Sequence, residues 1–159
     1  MKPLITRTLT ISACICAFCS NTAQAQFQAI PTNIPPQAAQ AWRNARNQAT
    51  KENYKAALPY MDQCIKLCPN AFQAYLDRAA LKSSLGEYEA AKKDWDYVAL
   101  NCQNNNLIKA VSHCSLAGYY SGKGDLINGL KNYDIAVSLN PKYTTARKMR
   151  AQVLISANQ

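Results

Sequence analysis

"SLGEYEAAKKDW", residues 84–95, sets a glycine inside what otherwise reads as one helical run. Tyr88, Ala91 and Trp95 are spaced to share one face of a helix. Glycine in a helix interior costs about 1 kcal/mol relative to alanine, so Gly86 argues for two helices joined by a tight turn. The break recurs. Tyr88, Ala91, Trp95 and Val98 have counterparts in Tyr54, Ala57, Met61 and Cys64, and again in Leu126, Gly129, Tyr133 and Ala136. Each set traces the stripe of one helix face. The first two sets lie 34 residues apart and the next two 38. A turn signal stands ahead of each: KEN at 51–53, LGE at 85–87 and KGD at 123–125.

A repeat of this length built from paired helices resembles the tetratricopeptide repeat, whose pattern runs aromatic, small pair, Gly-x-Tyr, Ala, aromatic, Ala, Pro. The middle unit fits it best, through Tyr75, Arg78-Ala79, Gly86, Tyr88, Ala91 and Trp95. The third carries Leu116-Ala117, Tyr120, Gly124, Tyr133, Ala136 and the closing LNP at 139–141. The first keeps Ala45, Tyr54, Ala57 and LCP at 67–69, but Trp42 sits one position late, no glycine marks its turn, and Pro59 falls inside its second helix, where a kink is expected. The fold implied is all-α: three antiparallel helix-pair repeats (38–71, 72–109 and 110–143) plus a capping helix at 144–157, wound as a right-handed α-solenoid. Ala57, Ala91, Gly129 and Ala136 are the small positions where neighbouring helices close up, and Tyr88, Trp95 and Tyr133 fill the space beyond.

The ends of the chain have their own logic. Residues 1–25 run from cationic (Lys2, Arg7) through an apolar stretch, Leu9 to Cys19, to Ala23-Gln24-Ala25, the order of a secretory signal peptide cleaved after Ala25. The apolar stretch falls well short of the roughly 20 residues that span a bilayer. Cys14 is a poor lipoprotein cysteine, because the apolar stretch continues through Cys16 and Phe18. An exported protein, periplasmic or secreted, is expected, with residues 26–37 as a flexible Pro-containing leader. Its Phe27, Ile30 and Ile34 are apolar enough to lie in a groove of the domain at 38–159.

Without Lys2 and Arg7, sixteen basic residues face nine acidic ones. That balance favours anionic partners; for an exported chain these are acidic proteins or an envelope surface, not nucleic acid. After Asp134 there is no acidic residue, and Lys142, Arg147, Lys148 and Arg150 make the C-terminal end the most basic surface. Membrane contact is expected only as surface association, and nothing in the sequence sets an oligomeric state.

Cys64, Cys68, Cys102 and Cys114 remain after processing, an even number that favours a disulfide in an exported chain. In the repeat register Cys102 and Cys114 lie on antiparallel neighbours around the inserted NNNL and are the leading pair; Cys68 with Cys102 is the alternative. Residues 114–124 also resemble a Sel1-type repeat, in whose cysteine-rich secreted members such bridges occur. Cys64 sits at a packing position. A metal site from Cys64, Cys68, His113 and Cys114 would need residues of different interfaces to meet. After residue 25 no Cys-x-x-Cys, phosphate-binding glycine loop or Ser-His-Asp signature is present, so neither catalysis nor a cofactor is expected.

The resemblance implies a concave face lined by the first helices that binds a protein or peptide segment. Carried across, its lining is Trp42 and Arg46, then Gln73, Leu76, Asp77, Ala80, Ser83 and Ser84, then Val111, Cys114 and Gly118. Members that clamp a C-terminal carboxylate use lysines and asparagines where this chain has Trp42, Arg46, Asp77, Val111 and Ser115, so an apolar segment suits the face better than an acidic tail.

Overall fold

The computed structural model describes residues 30, 31 and 33–157. Among them are seven helices and no strand: α1 (Pro36–Ala49), α2 (Tyr54–Leu67), α3 (Phe72–Ser84), α4 (Tyr88–Asn101), α5 (Asn106–Gly122), α6 (Leu126–Leu139) and α7 (Thr144–Ala157). They form two compact units, one ending at Asn101 and one starting at Cys102. The signal segment and residues 26–29 of the leader lie outside the described residues.

The repeated stripes become the cores of the hairpins. In all three sets the first residue (Tyr54, Tyr88, Leu126) is half-buried and the other three are buried. In the first unit α1 packs on α2, α2 on α3 and α3 on α4. Ala57 and Ala91 are fully enclosed there beside Met61, Cys64, Trp95 and Val98. A methyl group is the largest side chain that allows so close an approach. In the second unit α6 lies between α5 and α7, and Ala110, Cys114, Ala117, Tyr133, Ala136 and Ala146 form one cluster. A Cβ at Gly129 would collide with the Ser121 hydroxyl of α5, which is why α6 carries glycine there.

Three differences from the expected layout have local causes. The α2 helix continues through Pro59, whose ring lies on its exposed side in the second turn. The α5 helix starts ahead of Ala110, because the Asn105 side chain caps it by accepting from the Ile108 N–H at 3.0 Å. The first turn, which lacks a glycine, is made by Glu52 at φ 60°, in register with Gly86 at 78° and Gly124 at 83°.

The left-handed region is disfavoured for a residue with a Cβ by about 1–2 kcal/mol. Open space surrounds the Cα of Gly86, so only this backbone cost acts there. In urea unfolding, Glu52→Gly is expected to stabilise by about 0.5–1 kcal/mol and Gly86→Ala to destabilise by about 1 kcal/mol. Equal effects of the two changes would contradict the shared turn geometry.

Candidate partner-binding face

The first helices of the first unit, α1 and α3, meet around one carboxylate. Asp77 of α3 has a side chain only 3% exposed. Its Oδ2 accepts from Trp42 Nε1 of α1 at 2.7 Å and from Arg46 Nη2 of α1 at 3.2 Å. Its Oδ1 accepts from Gln73 Nε2, one turn earlier on α3, at 2.9 Å. The Arg46 guanidinium also lies 5.3 Å from the centre of the Trp42 ring, a cation–π distance. Burial pushes the Asp77 carboxyl above the usual carboxylate range, while the Gln73, Arg46 and Trp42 donors pull the other way.

This knot corrects the expected lining. Trp42 is fully buried, Gln73 and Asp77 are nearly so, and all three are spent on one another. Leu76 is 3% exposed and belongs to the core. Ser83 is buried and donates to the Ala79 carbonyl at 2.8 Å. Arg46, Ala80 and Ser84 are half-exposed and form what remains accessible on this side of the first unit. Val111 and Gly118 lie on α5, in the second unit, and both are buried.

A second polar network braces the unit. Arg78 of α3 grips Asp94 of α4 through Nε (2.9 Å) and Nη2 (2.5 Å), reaches Asp62 of α2 through Nη1 (2.7 Å), and is joined on Asp94 by Lys82 (2.8 Å). A bidentate guanidinium fixes the angle between helices as well as their separation. Tyr75 stacks on Tyr97 with centroids 4.5 Å apart, tying α3 to α4 again.

Among the described residues Cys64, Cys68, Cys102 and Cys114 are free thiols, so the expected Cys102–Cys114 bridge is not formed. Cys102, buried just ahead of α5, directs its Sγ to the Asn105 carbonyl at 3.7 Å, whereas Cys114 is enclosed in the α5–α6–α7 cluster. Burial raises the Cys114 thiol to about 12 and the Cys64 thiol to about 11, which suppresses the thiolate needed for exchange chemistry. No group of three or more His, Cys, Asp or Glu side chains among the described residues could hold a metal ion. The lone histidine is a packing residue: Asn132 Nδ2 is committed to the Asn128 carbonyl, so its Oδ1 accepts from His113 Nδ1–H at 2.9 Å.

Of the expected basic surface, Lys142, Arg147 and Lys148 are exposed. Arg150 is not available in the same way, because it is paired with Asp134 of α6 at 2.5 Å. No helix among the described residues is long and apolar enough to cross a membrane.

The comparisons agree with the helical hairpins. No family model matches the chain. Small glutamine-rich tetratricopeptide repeat-containing protein beta of Homo sapiens is 36% identical over 78 residues, 49% of this chain; the chain spans 25% of that protein's length. The crystal structure of PcrH in complex with the chaperone binding region of PopB is similar in fold, with a TM-score of 0.61 at 19% identity over 80% of this chain and 97% of that chain. The repeated stripes, the hairpins and these likenesses give the chain a fold similar to that of tetratricopeptide-type helical repeats.

Removing the acceptor at the centre of the knot strands an indole N–H, an amide and a guanidinium together. Asp77→Ala is expected to cost about 3–5 kcal/mol in urea unfolding. Asp77→Asn should cost less than half as much, because the Gln73 amide can turn over to accept from the new N–H. Similar costs for the two variants would contradict the hydrogen-bonded role.

Proposed function

We propose that this chain is an exported, non-catalytic tetratricopeptide scaffold that binds a segment of a partner protein on the side where α1 and α3 present Arg46, Ala80 and Ser84. The supporting observation is a residue-level one: on this side Trp42, Gln73 and Asp77 are buried in the knot, leaving the small, half-exposed Ala80 and Ser84 and the part-exposed Arg46 that pairs with Asp77. Such a surface accepts an apolar or helical segment by shape. The structural likeness to PcrH, solved with a segment of PopB, agrees with that use. The buried, poorly ionised thiols and the packed His113 favour binding over catalysis. The order of residues 1–25 supports export.

A second reading has its own support. The second unit carries seven basic residues against two acidic ones. Both acids are spent internally: Asp125 caps α6 through Asn128, and Asp134 pairs with Arg150. A small secreted factor acting through Lys142, Arg147 and Lys148 on an anionic envelope surface or acidic protein is the alternative.

Crosslinking capture from the native envelope tests the first reading. Ala80→Arg should abolish capture of the partner while leaving the far-ultraviolet circular dichroism unchanged; undiminished capture by this variant would remove the α1–α3 face from the interaction. The mass of the purified native protein should correspond to a chain beginning at Gln26, and an intact Met1 would refute export through this signal.

A further inference from the structure

The outer side of α6 leaves apolar side chains accessible between charged ones. Ile127 is 82% exposed, an unusual state for isoleucine. It shares a shallow groove with Leu130 and Ile135, alongside Lys131 and Asp134. Next to it is a cleft lined by Val137, Thr144, Arg147 and Lys148. The Asp134–Arg150 pair joins the two, since Asp134 lines the first and Arg150 the second. Apolar side chains on α6 thus flank Lys131 and Asp134, and Arg147 and Lys148 of the next helix line the adjoining cleft.

We infer that this face of the second unit docks an acidic amphipathic helix of another protein, its apolar side on Ile127, Leu130 and Ile135 and its carboxylates on Lys131, Arg147 and Lys148. The inference rests on the second reading above and adds the occupant and its pose. Charge complementarity selects it: the unit's two carboxylates are already used, so its surplus positive charge meets no acid within the unit. Ile127 and Ile135 are about 12 Å apart along the helix axis at 1.5 Å per residue, the span that anchors at i, i+4 and i+7 of a partner helix cover. A bilayer fits less well. No Trp or Tyr lines the groove to seat at an interface.

The test uses the processed chain, residues 26–159, and fluorescence anisotropy at low salt. The probe is a labelled synthetic peptide helix with Leu at i, i+4 and i+7 and Glu on its flanks. Two controls accompany it, a peptide of the same composition with the order scrambled and vesicles of phosphatidylglycerol. Binding of the amphipathic peptide alone is expected, weakened at least tenfold by Ile127→Asp and at least tenfold by Arg147→Glu with Lys148→Glu. Ile127 is too exposed for its replacement to disturb folding. Loss on charge reversal with no effect of Ile127→Asp would overturn the docked pose and leave the basic-surface reading standing. Binding to vesicles in place of the peptide would assign the face to a membrane and overturn the inference. Binding to neither would overturn both.

Discussion

One carboxylate, enclosed between two helices and accepting from three donors, governs the first unit. Asp77 is tolerable at that depth only because Trp42, Arg46 and Gln73 all point at it. The converse also holds, since the Trp42 indole could not be buried on α1 without an acceptor waiting on α3. The knot therefore fixes the spacing and rotation of two first helices that belong to successive hairpins. It also decides which side chains can meet a partner. Residues expected from the sequence to line a partner-binding face are here joined to each other, and the accessible remainder is small.

The rest of the architecture follows from size at a few positions. Alanine at 57 and 91 lets paired helices approach until Trp95, Met61 and Val98 can close over them, and Gly129 does the same against Ser121 in the second unit. Polar bracing is then added from outside, with Arg78 reaching Asp62 and Asp94 across three helices. These two kinds of constraint differ in consequence. The small residues permit close packing in many relative orientations, whereas the bidentate arginine and the Asp77 knot select one.

What was legible in the sequence was periodic. The stripes at 54–64, 88–98 and 126–136 contained the hairpin cores, because burial on one helix face imposes a spacing that composition alone cannot imitate. Glu52 was harder, since a left-handed glutamate carries no signature of its own; its alignment with Gly86 and Gly124 was the available signal. The start of α5 was misplaced because a run of asparagines reads as loop, yet an asparagine followed by an apolar stretch is also a cap. The site was read only in part. Register placed Trp42, Gln73 and Asp77 on one side of the first unit, but register does not say that three neighbours satisfy one another, and that satisfaction turned an expected lining into a core. Cysteine parity suggested a bridge between Cys102 and Cys114; parity carries no information on direction, and the two thiols point to Asn105 and into the α5–α6–α7 cluster.

The indole N–H of Trp42 reports most directly on whether the buried carboxylate holds these helices together. Hydrogen exchange followed by NMR on indole-labelled protein, with Trp42→Phe to assign the resonance against Trp95, measures it. A Trp42 indole proton that persists in heavy water long after an exposed indole would have exchanged, and that loses its protection in Asp77→Asn far less than in Asp77→Ala, is the expected result. Exchange at the rate of an exposed indole, or protection indifferent to Asp77, would contradict the central role given to that carboxylate.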